Sequence, residues 1–177
     1  LKGGTGNDNL DGSTGTDTAD YTYITSTYNQ THTTKIDLIS QTASIYNESS
    51  QLVEKDGLTS IENIYGSYGS DTVLGNSDGN LIYTHDGMDL IHAHEGNDYI
   101  HGGNDNDEIY AQSGNDTIFG GKDDDIISGG KDHDLIENRW FDNDELDGGS
   151  GNDTINYETL NANSINIQFD TENHLNG

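Results

Sequence analysis

The chain has no cysteine and no proline, and only six Lys and Arg in 177 residues. Lacking cysteine, it has neither disulfide staples nor thiolate metal sites. Six basic residues against 33 acids exclude the Lys/Arg stripes that DNA, RNA or anionic lipid require, and a formal net charge of −27 favours cations as partners. Long apolar runs are absent too, so the sequence predicts no transmembrane segment. Only 29% of residues are hydrophobic. Such a composition leaves burial too weak to offset the entropy of ordering a chain, unless another source supplies folding energy. Also missing are a G-x-S-x-G elbow, an H-E-x-x-H pair and a phosphate loop with its Lys. Paired carboxylates carry no information in so acidic a chain, so the expectation is a protein that is not an enzyme, with no catalytic residue. No signal peptide is visible, and the opening "LKGGTGNDNLD" begins mid-phrase, which predicts a fragment of something longer.

What is present is a phrase repeated every nine residues. "GNDYIHGGNDNDEIYAQSGNDTIFGGKDDDII" (Gly96 to Ile127) places Asp98, Asp107, Asp116 and Asp125 nine apart, each followed two positions later by Ile. Extended both ways, the sixth place of the phrase holds Asp71, Asn80, Asp89, Asp98, Asp107, Asp116, Asp125, Asp134, Asp144 and Asp153. The eighth holds Val73, Ile82, Ile91, Ile100, Ile109, Ile118, Ile127, Ile136, Leu146 and Ile155. Two further blocks stand at the start, GGTGNDNLD with Asp8 and GSTGTDTAD with Asp17, and one extra residue sits near Trp140. A fixed short period signals a solenoid. The last three places suit a short strand with its aliphatic side chain inward, and the first six a tight turn. Glycine at the first, second and fourth places predicts positive φ there, and Asp78, Asp105, Asp123 and Asp132 are fourth-place substitutes that tolerate the left-handed region.

If each phrase is a turn plus a strand, two phrases make one coil, and alternate turns stack on opposite edges. Parallel strands lie about 4.8 Å apart, so Asp71, Asp89, Asp107 and Asp125 form one column and Asn80, Asp98, Asp116 and Asp134 the other. Adjacent bare carboxylates at that spacing repel by roughly 1 to 3.5 kcal/mol per pair. The columns therefore require a divalent cation between rungs. Carboxylates and turn carbonyls are hard, flexible oxygen donors, which suits calcium better than magnesium, and zinc or copper would want His or Cys.

These phrases resemble the GGxGxDxUx nonapeptides of the RTX (repeats-in-toxin, hemolysin-type calcium-binding) family, over about two thirds of the chain. The resemblance implies an all-β fold, a right-handed parallel β-roll with several bound Ca2+ ions. It implies calcium ligands from the sixth-place residues, Asp8 and Asp17 included. It also implies backbone carbonyls from the first places (Gly66, Gly75, Thr84, Ala93, Gly102, Ala111, Gly120, Gly129), the third (Tyr68, Ser77, Asp86, Glu95, Asn104, Ser113, Lys122, Lys131) and the fifth (Ser70, Gly79, Met88, Asn97, Asn106, Asn115, Asp124, His133). Asn80 in place of an acid, Thr84, Ala93 and Ala111 in place of the first glycine, and the extra residue near Trp140 depart from the family pattern. They bear on the sites touching Asn80 and Asp144. The resemblance further implies a large secreted bacterial protein, exported by type I secretion machinery and folding in extracellular or cell-surface calcium.

The expected organisation is residues 1–20 as the end of a repeat block, 21–56 as an irregular β insertion, 57–156 as the main roll, and 157–177 as the start of a further module. "YTYIT" and "TKIDLIS" carry period-two hints of strands in the insertion, and "DTINY…SINIQFD" echoes "DTADY…TKIDLIS". His92 and His101 fall on opposite faces and His94 in a turn, so no transition-metal site is expected. Tyr65, Tyr83, His101 and Phe119 form a column on one outer face, beside Leu81, Tyr99 and Leu135. Residues 21–56 are the expected cover for this stripe. The alternatives are an adhesive surface for glycans or host cells, or an accessory domain of a secreted enzyme.

Overall fold

The structure is a computed structural model that describes residues 1–24, 32–138, 140, 142–157 and 166–168. Each phrase ends in a strand because its last three places alternate polar, aliphatic, polar, so one side chain is buried per strand (Glu108, Ile109 and Tyr110 read exposed, buried, half-buried). The strands are β1 (Asn9–Asp11), β2 (Thr18–Asp20), β3 (Thr33–Asp37), β4 (Thr42–Tyr46), β5 (Leu52–Thr59), β6 (Asn63–Tyr65), β7 (Asp71–Leu74), β8 (Leu81–Asp86) and β9 (Leu90–His92). They continue as β10 (Tyr99–Asn104), β11 (Glu108–Ser113), β12 (Thr117–Gly121), β13 (Ile126–Asp132), β14 (Leu135–Asn138), β15 (Glu145–Gly151), β16 (Thr154–Tyr157) and β17 (Asn166–Gln168). Several run through the first places of the next turn, so they are longer than the three residues the pattern suggests.

Alternate strands build two walls. One sheet has the order β1-β5-β4-β3-β7-β9-β11-β13-β15-β17 and the other β16-β14-β12-β10-β8-β6-β2. Through the repeats all pairings are parallel and in register: Ile91, Ile109, Ile127 and Leu146 stack on one wall, and Ile82, Ile100, Ile118 and Ile136 on the other. These eighth-place side chains are buried, none more than 2% exposed, and form the core with Val73 and Ile64. The chain is thus an all-β parallel solenoid. The extra residue near Trp140 is absorbed before Asp144, since Leu146 still pairs with Ile127.

The described strands of the insertion do not cover a face. β3, β4 and β5 enter the first wall edge-on: β5 pairs parallel with β1, β4 antiparallel with both β5 and β3, and β3 parallel with β7. In the other wall β6 pairs directly with β2 and β8. The physical reason is alternation: Thr34, Ile36, Ala43 and Ile45 are buried while their neighbours are more exposed, which is the pattern of a rung rather than of a lid. Between β5 and β7 one wall thereby holds two strands, β4 and β3, with no counterpart in the other wall among the described residues. Beside this wedge Leu38, Leu58 and Ile61 are buried, next to an opening of about 160 Å³. Its polar lining consists of Gln41, Ser60, Glu62, Asn76 and Asp78.

β17 stacks on β15, Ile167 opposite Leu146, so this part of residues 157–177 continues the same wall. The rest of the expected further module lies outside the described residues.

Candidate metal columns

The sixth-place acids of the main roll are almost fully buried at the turns: Asp71, Asp89, Asp98, Asp107, Asp116, Asp125, Asp134 and Asp144 are 1–4% exposed. They are tied rung to rung. The backbone N–H of Asp71 donates to Asp89 Oδ1 at 2.7 Å, that of Asp89 to Asp107 Oδ1 at 2.9 Å, and that of Asp107 to Asp125 Oδ1 at 2.9 Å. Asp125 continues this column to Asp144 across the extra residue, at 2.8 Å. The second column runs Asn80, Asp98, Asp116, Asp134, Asp153 by the same bond, at 2.7 to 3.0 Å.

Each accepting carboxylate therefore spends one oxygen on the ladder. The other, Oδ2, is buried with no hydrogen-bond partner in Asp89, Asp98, Asp107, Asp116 and Asp134, and Asp8 Oδ2 is in the same position. A buried carboxylate oxygen left without a donor is costly unless a cation meets it. Burial, and next the neighbouring Asp71, push the pKa of Asp89 up to about 8. Burial is also the leading cause at Asp107, pushed up to about 9, Asp125 to about 8, and Asp98 and Asp134 to about 7. Asp116 is raised to about 6, again chiefly by burial. These are the properties of ligands shaped around a positive charge.

The glycine at the first place serves the acid rather than φ. Gly66, Gly102, Gly120 and Gly129 do not have positive φ, but a Cβ there would crowd Oδ2 of Asp71, Asp107, Asp125 or Asp134. The second and fourth places do take the left-handed region, as at His85 and Gly87, His94 and Gly96, Gln112 and Gly114, and at Asp105, Asp123 and Asp132. Asp78 does not.

All eight first-place residues (Gly66, Gly75, Thr84, Ala93, Gly102, Ala111, Gly120, Gly129) are buried beside the acids. The third- and fifth-place side chains are exposed or half-exposed, which leaves those residues their backbone carbonyls as candidate ligands. The fifth-place side chains form a second ladder on the outside: Asn97 Oδ1 accepts from Asn115 N–H, Asn115 Oδ1 from His133 N–H, and Asn106 Oδ1 from Asp124 N–H, at 2.9 to 3.3 Å. This explains the short polar residues of that place.

Two acids not among the predicted ligands also join the columns, Asp56 outside the nine-residue register and Glu62 within it, nine residues before Asp71. Asp56 Oδ1 accepts from Asp8 N–H at 2.9 Å, and Glu62 Oε2 from Asp17 N–H at 2.9 Å. The signals were present in the sequence: Asp56 precedes Leu58, and Glu62 precedes Ile64, by the acid-x-aliphatic spacing of every repeat. Residues 1–20 are thus coils of the same solenoid, joined to the main roll across the insertion.

No group of three or more His, Cys, Asp and Glu side chains converges on a point among the described residues. The histidines are spread out: His92 stacks on Tyr110 at 4.9 Å on one wall, and His101 on Phe119 at 5.8 Å on the other. The sixth-place carboxylates and the turn carbonyls would hold a cation here, and such an all-oxygen donor set fits the high coordination of calcium. The unpartnered Oδ2 atoms and the glycine-lined space beside them fit such an ion.

Fold and site together define a parallel β-solenoid with buried acidic columns built for divalent cations. The model of the RTX calcium-binding nonapeptide repeat (4 copies) matches residues 1–20, 56–87, 65–100, 83–118, 101–136 and 141–158. Those segments take in more than half of the chain, which belongs to this family and so to a calcium-binding one. No curated protein matches it.

Proposed function

We propose that the chain is a non-catalytic, calcium-dependent folding module of a secreted bacterial protein. The observation that carries this reading is the row of buried, donor-less Oδ2 atoms. Without ions, they and their like-charged neighbours oppose a coil whose repeats bury one aliphatic residue per strand. With ions, metal-binding free energy becomes folding free energy. Extracellular calcium modules bind at about 0.1 to 1 mM, so a cytosolic chain stays unfolded, suited to type I export, and folds outside the cell. Far-UV circular dichroism tests this: coil in chelator and β structure in millimolar calcium are expected. A β spectrum indifferent to chelator defeats the reading.

A second reading, adhesion to glycans, is favoured by one surface. The strands β3 to β5 lie in the opposite wall and leave the aromatic stripe of Tyr65, Tyr83, His101 and Phe119 half-exposed. A groove of about 300 Å³ beside it is lined by Tyr68, Tyr83, His85, His101 and Trp140, with Asp86 and Asn104 as polar groups. Flat rings with a few hydrogen-bonding groups suit the faces and hydroxyls of a sugar. Glycan-array binding that is lost in a folded Tyr83→Ala, Trp140→Ala variant supports this reading, and no binding by the calcium-loaded chain refutes it.

A further inference from the structure

The repeat turns adopt two different conformations. From Thr84 to Asp132 the second and fourth places are left-handed, at His85 and Gly87, His94 and Gly96, Gly103 and Asp105 and onward, and the pattern returns at Gly149 and Gly151. The first two blocks share it, at Gly4 and Gly6 and at Ser13 and Gly15. The turns Gly66–Asp71 and Gly75–Asn80 do not, for none of Ser67, Gly69, Asn76 and Asp78 has positive φ.

In those two turns the second-place N–H instead points at the sixth-place side chain. Ser67 N–H donates to Asp71 Oδ2 at 2.7 Å, and Asn76 N–H to Asn80 Oδ1 at 3.0 Å. The remaining capacity of both side chains is also met by protein. Asp71 Oδ1 accepts from the hydroxyls of Ser67 at 2.8 Å and Thr34 at 2.6 Å. Asn80 Nδ2 donates to the Glu62 carbonyl at 2.8 Å and to Asn76 Oδ1 at 3.1 Å. That carbonyl stands where the Asp98 carbonyl stands in its own coil, accepting from Thr117 N–H at 2.9 Å. The equivalent donor here, Leu81 N–H, turns to Asn63 Oδ1 at 3.0 Å. Asn63 thus repairs the ladder bond that Asn80 displaces.

We infer that the turns Gly66–Asp71 and Gly75–Asn80 bind no calcium, and that hydrogen-bond donors from Thr34, Ser67 and the Asn80 amide take the place of an ion there. The metal array is then interrupted by a closed joint where the inserted strands enter the wall, and it resumes at Asp89 and Asp98. An amide N–H in the column repels a cation, and both oxygens of Asp71 already accept from protein donors. The wedge beside the joint also breaks the regular stacking of turns that a bridging ion needs.

This rests on the chain binding calcium at all, and the experiment separates the two. A crystal structure of the calcium-loaded chain, with ions located by anomalous scattering, should show ions at turns from Thr84 onward and none within residues 66–71 or 75–80. An ion bound by Asp71 or Asn80 overturns the inference, whereas a chain with no ion anywhere overturns the family function itself. Ions counted by native mass spectrometry give a second reading. Asn80→Ala should bind as many calcium ions as the unaltered chain, while Asp107→Asn should bind fewer. An ion lost in Asn80→Ala contradicts the inference. Should that variant fail to fold, the anomalous map of the unaltered chain still decides.

Discussion

The backbone N–H of Asp89 donates to Oδ1 of Asp107 at 2.9 Å, one coil further on, while Oδ2 of the same Asp107 is buried without a partner. One carboxylate thus serves register with one oxygen and offers the other to the proposed ion, and substitutions can separate the two roles.

Asp107→Asn keeps an oxygen for Asp89 N–H but removes the charge. Asp107→Ala removes both. The calcium concentration for half-folding should rise roughly tenfold in the Asn variant, equivalent to about 1.4 kcal/mol, and further in the Ala variant. A calcium titration followed by circular dichroism measures both, and equal midpoints in the two variants would show that the ladder bond contributes nothing.

The buried acids also set the response to pH. Their pKa values rise on folding from 3.8 to about 7 at Asp98 and about 9 at Asp107, chiefly through burial. The folded metal-free chain therefore holds protons that the unfolded chain releases. The stability those protons confer is fully present below about pH 4 and is lost as pH climbs through about 7 to 9. In chelator, β signal should increase on acidification from about pH 8.5 to 5. Protons compete with calcium for the same oxygens, so calcium affinity should fall over that interval. A chelator sample that loses β structure on acidification over this range would contradict the first statement, and a calcium midpoint that does not rise on acidification the second.

Two glycines of neighbouring turns should behave differently. Gly114 has φ +132 and a Cβ there would strike the Gly96 carbonyl, which is backbone and cannot yield. Gly102 lies at a first place, where the nearest atom is the Asp107 carboxylate, and the chain itself carries Ala93 and Ala111 at that place. Gly114→Ala should destabilise the calcium-loaded chain by about 2 kcal/mol or more, and Gly102→Ala by less. Thermal melts in saturating calcium compare them.

Ile109 is fully buried between Ile91 and Ile127. Ile109→Ala should cost about 2 to 5 kcal/mol in calcium, a melting-temperature loss of roughly 2 to 4 °C per kcal/mol for a chain of this size. A change below about 1 kcal/mol would mean that the aliphatic ladder matters little beside the ions.

The Asp and Ile columns were legible in the sequence because a nine-residue period fixes which side chains share an edge, whatever the turn geometry. The reason for glycine at Gly102 or Gly120 was not legible: it lies in how closely an acid five residues on returns to the backbone. The turn at Gly66–Asp71 reads as an ordinary repeat, and the family match runs straight through it. Its acid is met by Thr34, a partner 37 residues away. The path of the insertion was hidden likewise, because alternation predicts strands but not the edge they join.

The two surplus strands in one wall occupy about 10 Å at the usual strand spacing, with no strand to match them opposite among the described residues. A stack of coils that is two strands longer on one side is expected to bend there, with the longer wall on the outside of the bend.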